Sequence, residues 1–239
     1  MNRGNIRVIY IFTLVIIILG GSGCVMDKAI GTSTWRKSLN DRMVAYMNDR
    51  YDDTFTFEIL LHIGRETREI SVLSEKFPDD KITVLYWKTD EGEFFNDDYH
   101  HFLFKQQTIT KLNEVLTEAF EHDFKMFYNS NIYVGIITMP ADITFKEYIA
   151  NENSQINFNA VLAPGYDFSD QDAVVNKLRN TLTSHNIKIL SASIIFSDDE
   201  DEYESLDRSK YSWYSARYTG FCLYILNSGT EKEKIGWIY

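Results

Sequence analysis

Asp97, Asp98, His100 and His101 are the densest group of side chains in this sequence that could do chemistry. Carboxylates beside imidazoles are ligands for zinc or another divalent ion. The spacing weakens that reading, because adjacent helical residues point about 100° apart and His100 and His101 cannot readily share one ion. Asp97, His100 and His101 are therefore metal candidates in competition with a simpler role. Asp97 and Asp98 are good helix caps, meeting the positive end of a helix dipole.

Two further groups invite the same weighing. Asp198, Asp199, Glu200, Asp201 and Glu202 could attract calcium. A calcium loop needs carboxylates at alternate positions and a glycine at its bend, and this run has neither. The expectation for 198–207 is a solvated, self-repelling hairpin loop. Tyr211, Trp213, Tyr214 and Tyr218, with Phe221 and Tyr224, could stack on a glycan or peptide. Rings at this density more often form core and cross-strand pairs. His122 and His185 fall at expected helix C-termini and His62 on a strand's polar face, each with a structural explanation. Cys222 reads as a buried small hydrophobe in an aromatic strand. The chain has no Gly-x-Ser-x-Gly elbow, P-loop, His-Glu-x-x-His or Gly-x-Gly-x-x-Gly motif, and no cofactor is expected.

The elements that position these residues follow from periodicity. Leu39, Met43, Tyr46, Met47 and Tyr51 recur at helical spacing over 38–52, with Ser38 as its expected N-cap. From Phe55 the period becomes two, placing Phe55, Phe57, Ile59, Leu61 and Ile63 on one face of a half-buried strand. Glu69–Ser74, Ile82–Trp87 and Glu93–Phe95 read as three more strands, joined by Pro78-Asp79-Asp80 and Asp90-Glu91-Gly92 turns into a meander. A long helix follows to about Glu121, its apolar stripe being Phe102, Ile109, Leu112, Leu116, Ala119 and Phe120. Beyond a strand at Phe124–Tyr128, a second α+β cycle is expected. It contains strands at Ile132–Ile137 and Phe158–Leu162, and a short helix at Phe145–Ile149. A helix capped by Ser169 runs to His185 with Asn186 as left-handed C-cap, and strands follow at Ile187–Phe196, Tyr211–Leu226 and Ile235–Tyr239. The fold class expected is α+β, antiparallel sheets with packed helices, read as two subdomains in tandem over 38–130 and 131–239.

The chain has 239 residues, 44% of them hydrophobic and 15% aromatic, which is ample for a core. Its formal charge of -11 excludes a phosphate-seeking surface, so no nucleic-acid partner is expected. The acidity also leaves no polybasic grip on anionic lipid. Placement comes instead from the start of the chain. Arg3 and Arg7 precede an apolar run from Val8 to Leu19, then Gly20, Gly21, Ser22, Gly23 and Cys24. That is the order of a secretory signal. The cysteine after small residues resembles a bacterial lipobox, although Gly21 stands where the pattern usually has Leu. The resemblance implies cleavage after 1–23, acylation of Cys24, and a tether over 24–37. Ordinary cleaved secretion and an uncleaved anchor are the alternatives. An acylated Cys24 leaves Cys222 without a disulfide partner.

A wider resemblance rests on Tyr46-Met47 with Arg50-Tyr51, Phe55-Thr56-Phe57, Ser74-Glu75-Lys76-Phe77-Pro78, Asp90-Glu91-Gly92 and Asp97-Asp98-Tyr99 before Phe104-Lys105. Over about Met43 to Tyr128 the chain resembles a group of uncharacterised, mostly signal-bearing proteins of clostridia-like Firmicutes. The group tends to have Asn where this chain has Asp98. It implies an exported lipoprotein-like α+β body and no active site. The expectation is a membrane-anchored extracytoplasmic lipoprotein acting as a non-catalytic binding or accessory module, with a protein or cell-wall partner. The alternatives are a cell-surface hydrolase with dispersed catalytic residues and a mainly structural envelope protein.

Overall fold

Leu39, Met43 and Met47 sit on one stripe of a helix over 38–50 (α1) and are buried against Ile70, Val72, Ile82, Val84 and Tyr86 of a four-stranded sheet. Full burial of such side chains contributes about 1.5–3 kcal/mol each, so this packing stabilises the first half of the molecule. The computed structural model describes residues 38–129, 139–207, 220–224 and 234–238. Residue 38 is already helical, so the expected Ser38 cap lies at the edge of the described residues.

The first sheet is the antiparallel meander the sequence suggests: β1 (Phe55–Ile63), β2 (Thr67–Ser74), β3 (Ile82–Thr89) and β4 (Gly92–Asp97), in that spatial order. Gly92, at φ 144, allows the tight turn into β4, a conformation costly for any residue with a Cβ. Arg68, Ile70, Val72 and Ser74 of β2 face α1 and are all buried. β1 departs from the expectation. Its register with β2 slips between Phe57 and Ile59 and again between Leu60 and His62. Each slip exchanges the two faces of the strand. Leu60, not Ile59, therefore opposes Ile70 and packs on the core. Of the five expected inward residues only Phe55 is buried, while Phe57, Ile59, Leu61 and Ile63 are 43–49% exposed.

The long helix α2 (Tyr99–Phe120) joins the two halves. Tyr99 and Phe102 in its first turn pack with the first sheet, whereas Phe104, Leu112, Val115, Leu116, Ala119 and Phe120 belong to a second core. That core lies on a five-stranded sheet of β5 (Phe124–Asn129), β6 (Ile156–Leu162), β7 (Ile189–Phe196), β8 (Gly220–Tyr224) and β9 (Lys234–Ile238), again in sequential order. β5 pairs with β6, so the sheets divide between β4 and β5. The pairs are antiparallel apart from β6 and β7, which run parallel because a helix, α4 (Gln171–Ser184), crosses between them. The architecture is α+β.

Several local expectations change at the level of caps. α4 is capped by Asp170, whose carboxylate accepts Ala173 N–H at 3.0 Å, and not by Ser169, which donates its own N–H to Asp167. Asn186 does take the left-handed conformation, at φ 51, and the chain turns there through Ile187 N–H to the Leu182 carbonyl. The short helix α3 (Phe145–Ile149) has a reciprocal capping box of Thr144 and Glu147. The acidic segment is not a free loop. Asp199 caps α5 (Glu200–Glu204), whose first-turn carboxylates complement the helix dipole, and Lys125 Nζ binds the Tyr203 and Glu204 carbonyls at its other end. Tyr203 and Leu206 are buried beside Val161 and Ile195. The expected strand at Ile132–Ile137 lies outside the described residues.

Candidate functional site

Part of the expected polar group, Asp97 with His100, comes together at the junction of β4, α1 and the start of α2. Asp97 ends β4 on the inner face of the sheet, where the alternation of the strand points it at α1. Tyr46, in the second half of α1, and Tyr51, the residue just after it, reach it from above. Tyr46 Oη donates to Asp97 Oδ2 and Tyr51 Oη to Oδ1, each at 2.9 Å. Tyr99 N–H donates to the same Oδ1 at 3.0 Å, and Arg50 Nε lies 3.7 Å from Oδ2. Asp97 thus meets the first N–H of α2, while Asp98, the residue at the cap position, makes no side-chain cap. Asp98 turns to β3 instead, accepting Thr83 N–H at 2.8 Å.

Arg50 completes the knot. Its guanidinium lies over the Tyr51 ring at 5.2 Å and the Tyr46 ring at 5.6 Å, its Nε donates to Tyr51 Oη, and its Nη2 donates to the Met139 carbonyl. Burial, then the charge of Asp97, pushes both tyrosine hydroxyls far up, so they are donors and not phenolates. A buried carboxylate with three hydrogen bonds and a nearby guanidinium is a stable charge centre.

The two histidines part company. His100 Nε2 faces the Ala141 carbonyl at 3.3 Å, and its Nδ1 lies 3.4 Å from Tyr51 Oη. A neutral imidazole has one N–H, and the carbonyl can only accept it, which assigns the proton to Nε2. His101 points the other way, stacked on Tyr128 at 4.9 Å with Nδ1 2.9 Å from Tyr128 Oη. Its Nε2 is buried and has no hydrogen-bond partner among the described residues. Burial lowers the basicity of both rings, His101 to about 4, so it is neutral across the ordinary pH range. Of the three metal candidates, Asp97 and His100 meet at Tyr51 and His101 does not join them. Among the described residues no group of three or more His, Cys, Asp or Glu side chains is arranged to hold a metal ion.

A second polar contact fastens the same helix start. Asp53, in the turn between α1 and β1, accepts from Tyr99 Oη at 2.9 Å and from Ser74 Oγ. Burial pushes its carboxyl up, but these bonds and the N–H groups of Thr54 and Lys76 outweigh it and leave it below the usual carboxylate range. The chemistry of the junction is therefore that of a keystone. It holds α1, β4, α2 and the 139–141 segment in register through charge and hydrogen bonds.

The surface tells a different story. Phe57, Ile59, Leu61 and Ile63 form an apolar rim along β1, with Leu73 of β2 beside it. On the outer face of the sheet Trp87 and Phe94 stack at 5.5 Å. The alternating Phe-x-Ile-x-Leu-x-Ile was visible in the sequence as a strand, and among the described residues it is an edge of the first sheet. Its solvent exposure was not visible. Cys24, Tyr211, Trp213, Tyr214 and Tyr218 lie outside the described residues.

No protein-family model matches this chain, and no curated protein matches it in sequence. Among solved structures, the crystal structure of a DUF5037 family protein from Ruminococcus gnavus is similar with a TM-score of 0.38 and 13% identity, covering 82% of this chain and 95% of that one. A likeness of that degree transfers no activity.

Proposed function

We propose that this chain is a lipid-anchored protein of the extracytoplasmic face of a bacterial membrane, working as a non-catalytic binding or accessory module with the β1 rim as its contact surface. The observation that carries the reading is the rim itself, four large apolar side chains in nine residues left 43–49% exposed. Large apolar side chains gathered in the open along one strand mark an interaction site. The order of Arg3, Arg7, the Val8–Leu19 run and Cys24 supports the anchor, as does the resemblance to exported Firmicutes proteins. The polar junction supports a non-catalytic role, because its carboxylate, phenols and guanidinium are engaged with one another inside the fold.

Fractionation of cells making the native chain or Cys24→Ala, with mass spectrometry of the membrane-extracted protein, tests the anchor. The expected result is an acyl adduct on Cys24 and release of the variant into the soluble fraction. Membrane retention of an unacylated chain overturns it. A hydrolytic activity of the native chain, lost in an Asp97→Asn variant that remains folded by circular dichroism at the assay temperature, would replace the non-catalytic reading with the hydrolase.

A further inference from the structure

We infer that the β1 rim lies in the headgroup–acyl boundary of the bilayer, so that the anchored body rests on the membrane through Phe57, Ile59, Leu61 and Ile63. The inference builds on the anchoring at Cys24 proposed above. Three features select lipid over a protein surface.

The first is the shape of the edge. An edge strand recruits another strand by offering an unbroken row of N–H and C=O groups. β1 has two irregularities in its nine residues, which twist the edge and disrupt such pairing. The same slips distribute the apolar side chains. Phe57 and Ile63 oppose Val72 and Arg68 on the core face, Ile59 opposes Ser71, which lies on the other face and is buried with its hydroxyl on Glu58, and Leu61 stands in the second slip without a partner on β2. A rim with side chains splayed to both faces fits a fluid apolar medium better than a flat partner.

The second is charge. β1 contains one charged residue, Glu58, in a chain that is 25% charged. Glu58 is engaged by Ser71 Oγ at 2.7 Å and Lys81 Nζ at 3.1 Å. The rim is thus an electrically quiet strip on an acidic body. The net negative charge of each copy, greater once Arg3 and Arg7 are removed with 1–23, opposes rim-to-rim pairing of two copies.

The third is reach. Thirteen residues, 25–37, separate Cys24 from Ser38, the first described residue. Fully extended they span at most about 47 Å, and as a flexible chain about 20 Å. An acylated Cys24 therefore holds the rim at a high effective concentration of bilayer, so that weak apolar contacts suffice. Because the body is acidic, contact with anionic lipid strengthens as salt screens the repulsion. A polybasic surface would behave in the opposite sense.

Full-length protein, as processed by the producing cell, is placed in phosphatidylcholine–phosphatidylglycerol vesicles containing a lipid with a diazirine in its acyl chain. After photolysis, adducts are mapped by mass spectrometry, and the acyl state of Cys24 is read in the same spectra. Labelling of 55–63 at least tenfold above the α4 peptide 171–184, rising with salt, is expected. Ile59→Glu/Leu61→Glu, at exposed positions and with an unchanged melting temperature, should lose that labelling at least tenfold. Acylated Cys24 with β1 labelled only at the α4 level overturns the inference and leaves the anchor standing. Cross-links between β1 strands of two copies without lipid adducts overturn it in favour of self-association. Labelled β1 with an unmodified Cys24 upholds the contact and overturns the anchor.

Discussion

Tyr51 Oη donates a 2.9 Å hydrogen bond to Asp97 Oδ1, joining the residue that follows α1 to the end of β4 across 46 residues of chain. The same hydroxyl accepts from Arg50 Nε, so one phenol links a buried anion to its nearby cation. This bond ties the helix that covers the first sheet to the carboxylate that also accepts the first N–H of α2, and hence to the second core.

Removing either partner should cost stability in a fixed order. Tyr51→Phe deletes one donor and is expected to cost about 1–3 kcal/mol in urea denaturation. Asp97→Ala leaves Tyr46, Tyr51, Tyr99 N–H and Arg50 facing no acceptor charge and is expected to cost about 3–5 kcal/mol. Equal or negligible losses would contradict the keystone role.

Asp98 sets an alkaline limit. Burial, with the negative charge of Asp97 adding to it against the Thr83 N–H bond, raises its carboxyl to about 8. The unfolded chain ionises near the ordinary value of about 3.9. The folded state thus holds a proton that the unfolded state releases, and stability falls as pH rises from about 4 through about 8. Asp98→Asn retains an acceptor for Thr83 N–H without a charge. Its melting temperature relative to the native chain should rise steadily between pH 5 and pH 8.5; parallel curves would exclude the effect.

His101 acts at the other end of the scale. Its imidazole, lowered by burial to about 4, is neutral in the fold while the unfolded chain protonates near 6.5. Its contribution is present above pH 6.5 and is lost as pH falls through that window towards 4, by up to about 3 kcal/mol. NMR of the imidazole carbons should give a midpoint near 4, and His101→Gln should flatten the acid limb of the stability curve.

Asn186 offers a backbone test. Its φ of 51 is tolerated by Asn and Gly and disfavoured for a β-branched residue. Asn186→Val is expected to destabilise by about 1–2 kcal/mol by thermal melting, and Asn186→Gly to be close to neutral.

Much of the architecture was legible because it is local. The Leu39–Met43–Met47 stripe, the α2 stripe from Phe102 to Phe120, the meander turns and the αL residue Asn186 are short-range patterns, and each is found where the pattern put it. Asp198–Asp207 misled because its charges suggested repulsion, whereas Asp199 and the dipole of α5 use them and Lys125, 78 residues away, closes the helix end. Ser169 misled because the better acceptor, Asp170, is its immediate neighbour.

The candidate site divided along the same line. Residue types and spacing were enough to single out Asp97, His100 and His101 as a polar group at a helix start, since that depends on neighbours in the chain. What those groups face was decided only by tertiary structure. The arrival of Tyr46 and Tyr51 from α1 made Asp97 a satisfied buried charge, and Tyr128 drew His101 away. The rim was decided the same way. Alternation in Phe57–Ile63 prescribes a strand with an apolar face, but a face is a core only if something covers it. The register slips against β2, which no pattern within β1 encodes, move Ile59 and Leu61 off the core face, while Phe57 and Ile63, still opposite inward-facing Val72 and Arg68, stay exposed at the sheet edge.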